Sequence, residues 1–438
     1  MLSLICVLFL YRFIYVPSPH THEVIGDELY EALVDWNLDE KVSTITLDNC
    51  TTNDSAIPYL VRKIGKTKLM SGGKFLHMRC CAHILNLIVK DGLENLKDAI
   101  ENLRDSVAYW TATPKRYEKF EEIAKYVNVT ITKKIALDCK TRWNSTYKML
   151  STALPYKSVF MRASRVDKQY TCCPTEEEWK FAADVVERLK MFSDISDIFS
   201  GTDYVTANLF FYKVCEIRCN IREWSTCGNP LIEAMSYDME AKFKKYWTDI
   251  QGLMGIATLL DPRFKHYMLL HCFEVLLGTT GSDCEYEVTK VKDYLSDLMS
   301  QYHFDENESS TSSSKATPVL SLGFLSSFSA RVASNVPLTM RFRSELDRYL
   351  EDEMVDIHTK GFDILDWWKV AGTRYPTLRM IARDIFAIPI TTVASESAFS
   401  TSGRVLSEYR SRLTSQLLEA LMCSQDWIRN RYKGITRM

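Results

Sequence analysis

One run of seven residues constrains this chain more than its composition does. Val42-Ser-Thr-Ile-Thr-Leu-Asp48 is β-branched and roughly alternating, the pattern of a strand. On either side the apolar spacing changes to three and four. Ile25, Leu29, Leu33, Val34 and Trp36 predict a helix over 23–38, and Asp54 predicts the cap of another through Leu60 and Ile64. Residues 12–17 read as a strand stopped by Pro17 and Pro19, and Phe75 to Arg79 as another short one. Leu93, Leu96, Ile100, Leu103, Val107 and Trp110 then predict one long amphipathic helix. Alternating strands and helices predict an α/β layer.

The pattern changes at about residue 145. From there to 300 helical periodicity dominates, as in Glu176 to Phe199 and Ala234 to Ile250, and the region is expected to be all helical. Residues 305–336 follow as a linker, opened by Asp305-Glu306-Asn307-Glu308 and holding ten serines between Ser309 and Ser334. Such a stretch cannot bury enough apolar surface to offset its own ordering entropy. The last hundred residues return to dense apolar and aromatic content.

Charge excludes a strongly basic nucleic-acid binder. The 438 residues carry 54 basic and 56 acidic side chains, a net of −2, so DNA contact has to come from local patches. One exists in the tail, where Arg404, Arg410, Arg412, Arg429, Arg431, Lys433 and Arg437 face only Glu408, Glu419 and Asp426. The 13 cysteines, odd in number and without a CxxC pair, predict free thiols in a reducing compartment. Met1 to Leu10 is almost wholly apolar and reads as a strand. A signal sequence is the alternative, but no basic flank or small-residue cleavage site accompanies it. The run is too short to span a bilayer, and no membrane segment is expected.

Four local motifs are candidates for chemistry. Asp48 ends a strand, where functional groups of open α/β sheets gather, and it could hold a hard cation or serve as a turn residue. Cys80 and His83 stand three apart at a strand-to-helix junction. Structural zinc needs four ligands and no second pair supplies them, which favours a packed Cys and a hydrogen-bonding His. Arg142 beside Trp143 suits phosphate binding and base stacking, or equally a core Trp with an exposed Arg. Glu396 lies among small residues on a helix, compatible with a solvated helix face.

Taken in order, these motifs are specific. TLDNCTTND, FLHMRCCAHILNLIV, TRWNSTYKML and RYPTLRMIARDIFAIPITTVASESAFSTSGRV resemble the plant-type hAT transposases, including BED zinc-finger proteins of the RICESLEEPER kind, from Arg12 almost to the end. The resemblance implies α/β plus α architecture: an RNase H-like core interrupted by a large helical insertion, with a C-terminal dimerisation module. The implied division is a partial RNase H-like core over 1–150, the insertion over 151–304, the Ser-rich linker over 305–340, and a module over 341–438 that completes the core. It also implies a nuclear protein.

The resemblance further implies two-metal phosphoryl transfer, in which three carboxylates hold paired Mg2+ ions. Asp48 matches the second catalytic aspartate and Glu396 the catalytic glutamate. Both would be Mg2+ ligands only beside a third carboxylate. Cys80, His83, Arg142 and Trp143 match DNA-handling motifs. The family's T-D-x-W-T-S block, with the first aspartate and the first sheet strands, has no counterpart here, nor has its BED zinc finger. The expectation is therefore an N-terminally truncated, transposase-derived protein that is catalytically inactive, needs no cofactor, associates with itself as a dimer or higher or with related hAT proteins, and binds DNA weakly. The alternative is an active transposase whose N-terminus lies outside this sequence. For the dimer contact, aromatic density points to Trp367, Trp368, Leu378, Ile381 and Phe386.

Overall fold

The computed structural model describes residues 12–94, 96–139, 143–202, 204–247, 252–309, 344–405 and 413–435, with backbone alone at 99, 247, 303–309, 394, 401–405 and 430–435. The Met1–Leu10 run lies outside them, as do residues 310–343 of the Ser-rich segment. The structure is mostly helical with a small sheet.

The N-terminal part is a small α/β lobe. Helix α1 (His22–Asp35) and helix α2 (Thr51–Ile64) flank β1 (Ile45–Leu47), which pairs in parallel with β2 (His77–Arg79), Thr46 opposite Met78. Their apolar faces make a core of Ile57, Leu60, Ile64, Leu69 and Leu76, covered by Leu29, Leu33, Val42 and Ile45. A side chain at Gly26 would place its Cβ 2.5 Å from the Tyr59 ring, so α1 and α2 approach closely only because that residue is glycine. Residues 12–17 are not a strand. They run as irregular chain, and Arg12 pairs with Asp35 and with Glu419.

The helical part begins at α3 (Cys81–Glu94). The long helix expected through Trp110 is two, because Leu96 takes a non-helical backbone (φ −105°, ψ 4°) and starts α4 (Lys97–Thr111). Leu96, Ile100, Leu103, Val107 and Trp110 are nonetheless all buried. Then follow α5 (Pro114–Tyr126), α6 (Trp143–Ala153), α7 (Lys157–Val166) and α8 (Glu176–Phe199). Thr175 and Glu178 close a reciprocal cap at the start of α8. Helices α9 (Phe210–Trp224), α10 (Pro230–Trp247), α11 (Gly252–Leu259), α12 (Lys265–Leu277) and α13 (Ser282–Ser309) complete it, with α10 lying along α3.

The C-terminal segment packs back on this body. It comprises α14 (Glu345–Glu351), α15 (Ile364–Ala371), α16 (Pro376–Phe386), α17 (Val393–Val405) and α18 (Ser415–Ile435). Its first three helices share one continuous core with α3 to α13. Polar contacts fix the docking. Tyr349 Oη donates to the Leu259 carbonyl (3.2 Å), and Tyr302 Oη on α13 donates to Asp384 on α16 (2.7 Å). Lys265, buried, donates its ammonium to the carbonyls of Tyr349 (2.7 Å), Asp352 and Glu353 at the end of α14.

This docking corrects the expected dimer contact. Trp368, Leu378, Ile381 and Phe386 are buried in the chain's own core, and Trp367 is half-buried against Tyr349 and Trp368. Their aromatic density serves the seam between the two halves of the chain.

Candidate active site

β1 and β2 run in parallel, so their carboxyl ends lie side by side. Asp48 follows β1 and Cys80 follows β2, and Cys80 N–H donates to the Leu47 carbonyl at 2.9 Å. The C-terminal segment crosses these ends just before α17. Thr46 Oγ1 donates to the Pro389 carbonyl (2.7 Å), and the Cys81 N–H donates to the Ile390 carbonyl (2.9 Å). Thr391 Oγ1 donates to the Phe199 carbonyl at the end of α8 (3.4 Å). Three parts of the sequence therefore meet at one point.

Thr392 lies at that point. Its hydroxyl donates to Asp48 Oδ1 at 2.7 Å across 344 positions, and the same oxygen lies 3.4 Å from Glu396 Oε1 one turn further along α17. The two carboxylate oxygens are consequently no more than 6.1 Å apart, the sum of those distances. Cys80 Sγ, fully buried, accepts from the backbone N–H groups of Thr392 (3.2 Å) and His83 (3.4 Å), and lies 3.1 Å from the Thr392 hydroxyl. Asn53 donates to the Asp48 carbonyl at 3.1 Å and Asn49 to the Cys80 carbonyl at 3.3 Å, which holds both turns.

Asp48 is half-buried and Glu396 exposed, so both carboxylates are reachable from solvent. A cavity of about 350 Å3 adjoins them, lined in part by Thr46, Phe199, Thr392, Ser397, Met422 and Arg429. Hard divalent cations take oxygen ligands, and this corner offers two carboxylates and a hydroxyl. Among the described residues no third carboxylate, His or Cys joins them in a metal-holding group.

The other candidates separate. His83 sits in the first turn of α3, half-buried, and meets Cys80 through its backbone rather than its ring. Arg142 lies outside the described residues. Trp143 opens α6 at 5% exposure, its ring edge-on to Phe192 at 6.3 Å. As packed, the ring is a core element, not the open stacking face expected of a DNA-handling Trp. Nearby, Asp138 accepts two bonds from Arg104 (2.9 Å each) and one from Thr146 (2.7 Å). Burial pushes the Asp138 carboxyl up, but these bonds and the Arg104 charge outweigh it and leave it below the usual carboxylate range.

Sequence reasoning missed Thr392 and the Arg104–Asp138 pair. For Thr392 a signal existed: a hydroxyl one helical turn before Glu396. Nothing in the spacing of Arg104 and Asp138 announces their pairing.

Family profiles match the chain along most of its length, between residues 8 and 428. Residues 8–75 match the profile described as ZBED1 RNase-like domain, and 78–188 the ZBED1 RNase-like helical domain. Residues 208–302 match the hAT-like transposase, RNase-H fold, and 345–428 the hAT family C-terminal dimerisation region. The chain belongs to the hAT transposase family.

Its hAT relatives include the "Putative AC transposase" of Zea mays, 34% identical over 435 residues, covering 97% of this chain and 53% of that protein. The "Zinc finger BED domain-containing protein RICESLEEPER 2" of Oryza sativa subsp. japonica is 32% identical over 440 residues, covering 95% and 60%. The DAYSLEEPER protein of Arabidopsis thaliana is 27% identical over 410 residues, covering 94% and 58%. The chain thus spans little more than half the length of these curated relatives. Asp48 falls in the first hAT-type match and Glu396 in the last, so the carboxylate pair is assembled from opposite ends of the family alignment. No helix among the described residues is long and apolar enough to cross a membrane.

Proposed function

We propose that this chain is a transposase-derived protein that associates with itself through its C-terminal region and engages DNA at the Asp48–Glu396 corner, without cutting DNA by itself. The observation that carries this reading is the shared Thr392 hydroxyl, which holds two distant carboxylates in one solvent-reachable corner. That is the placement a hAT catalytic aspartate and glutamate require. A two-metal centre uses its ions to stabilise both the entering and the leaving oxygen of a phosphodiester. Asp48 and Glu396 supply two of the three carboxylates that such a centre takes in this family, so the pair alone would leave the ions under-held.

Self-association is supported by the match of residues 345–428 to a dimerisation region. Weak DNA binding is supported by the names of the relatives and by the basic excess in the tail, of which Arg429 has a described, exposed side chain. Such binding would rest on phosphate contacts and fall steeply with salt. A nuclear location and the division at about residues 150, 305 and 341 belong to the same proposal.

The test incubates purified chain with supercoiled plasmid in Mg2+ and in Mn2+, and follows fluorescence anisotropy of a duplex across a salt series. The expected result is salt-sensitive binding and no strand scission. Nicking that disappears in Asp48→Ala would instead establish the second reading, an active two-metal phosphoryl transferase.

A further inference from the structure

The dimerisation region has an outer face besides its aromatic cluster, on the helix whose sequence spacing already marks Leu417, Leu418 and Leu421 as apolar. With Trp368, Leu378, Ile381 and Phe386 buried inside the chain, another surface of residues 345–428 has to meet a partner. Helix α18 carries two apolar stripes. Leu418, Met422 and Cys423 are buried against the chain's own body. Leu417, Leu421 and Ile428 stand on the other stripe at 50%, 45% and 56% exposure, with Ser424 exposed between the last two. Positions 417, 421, 424 and 428 follow the four-three-four spacing of a coiled-coil seam, so they line one edge of the helix.

The helix cannot roll to bury this stripe at home. Arg12 holds Glu419 at 2.7 Å, and the Trp36 ring stands edge-on to Trp427 at 6.0 Å. Both contacts come from the N-terminal lobe and fix which face of α18 looks inward. The other exposed apolar side chains of the region form no such row: Met354 and Ile357 lie in the 352–363 loop, Val370 on α15, Phe399 on α17 against Phe13, and Trp427 on the Trp36 side of α18.

We propose that the Leu417–Leu421–Ile428 stripe of α18 is the surface on which a second copy of this chain docks, helix against helix about a two-fold axis. The proposal rests on the reading that the chain self-associates, and adds where. In a two-fold contact the same patch serves both copies, which a single self-complementary stripe satisfies. From 417 to 428 the stripe runs about 17 Å, under two heptads, where stand-alone coiled coils need about three or four. Ser424 leaves a polar gap in its middle. The dimer is therefore expected to dissociate in the micromolar range, roughly −8 kcal/mol.

The experiment is sedimentation velocity of the full chain from about 1 to 100 μM, for wild type, Leu421→Glu, Val370→Glu and Ser424→Leu. Wild type and Val370→Glu should dimerise alike. Leu421→Glu should stay monomeric with unchanged circular dichroism and melting. Ser424→Leu, which fills the gap, should dimerise about tenfold more tightly. A wild-type dimer indifferent to both stripe substitutions overturns the surface while leaving self-association intact. Wild type and Ser424→Leu both monomeric throughout overturns self-association itself. Should Leu421→Glu misfold, the gain in Ser424→Leu decides alone.

Discussion

The Trp368 indole donates its Nε1–H to the Leu260 carbonyl at 2.9 Å, with the ring wholly buried. This bond joins α15 to the turn after α11, and the ring packs tilted against Tyr349 and edge-on to Trp367 at the same seam. Trp368→Ala is expected to destabilise the fold by about 3–5 kcal/mol through the cavity it leaves, and Trp368→Phe by roughly 1–3 through the orphaned carbonyl and lost volume. Urea unfolding followed by circular dichroism checks both. A Trp368→Ala chain with wild-type stability and lost dimers would instead return this residue to an interface.

Asp138 gives an acid-sensitive prediction. Its carboxyl sits lower in the folded chain than in the unfolded one, so its pairing with Arg104 stabilises the fold above the unfolded pKa near 4 and loses that contribution as pH falls through the folded value. Asp138→Asn should flatten the acid limb of the stability profile. Asp138→Ala should cost about 1.5–3 kcal/mol at neutral pH, because Thr146 loses its acceptor and half-buried Arg104 keeps only Glu101 as a partner. Denaturation midpoints measured from pH 3 to pH 7 test the sign.

His77 predicts a dependence nearer neutrality. Burial holds its imidazole below the ordinary value, with the Arg79 charge adding to the effect and Asp54 opposing it. The unfolded chain therefore binds the proton more readily. The stability His77 contributes is present above about pH 6.5 and lost as pH falls below it. In His77→Phe that part of the pH dependence should vanish. An unchanged slope between pH 7 and pH 5 would rule His77 out as its source.

Thr392→Val removes the hydroxyl while keeping the branched shape, and should cost roughly 1–2 kcal/mol by leaving Asp48 without its donor. Thr392→Ser should stay within about 0.5 kcal/mol of wild type. Thermal melts of the three proteins provide the comparison. A loss in Thr392→Ser with none in Thr392→Val would mean that the methyl group, not the hydroxyl, matters.

What was legible in the sequence was what short-range patterning encodes. Val42 to Asp48 alternates because one side of β1 faces the Leu60 core, and Asp48 stands where that strand ends. The amphipathic positions from Leu96 to Trp110 are buried as their spacing implies, although the helix breaks before Leu96. The apolar start of residues 12–17 misleads, since extended irregular chain and strand share a composition. Trp367 and Trp368 mislead for a related reason: aromatic density marks a desolvated surface without saying whether the other wall belongs to the same chain. Thr392 was legible only as a hydroxyl one turn before Glu396, because its bond to Asp48 exists only once residues 344 positions apart are brought together.

The seam around Trp368 and Lys265 has a consequence for how the chain could be divided. What binds the C-terminal segment to the rest is a buried, hydrogen-bonded surface: Trp368 on Leu260, Lys265 on the end of α14, Tyr302 on Asp384. None of those contacts requires covalent continuity between Ser309 and Ser344. Two separate polypeptides, 1–309 and 344–438, should consequently find each other and reassemble when co-expressed, as complementing fragments do. The carboxylate corner would then be reconstituted from two genes, with Asp48 arriving on one and Glu396 on the other.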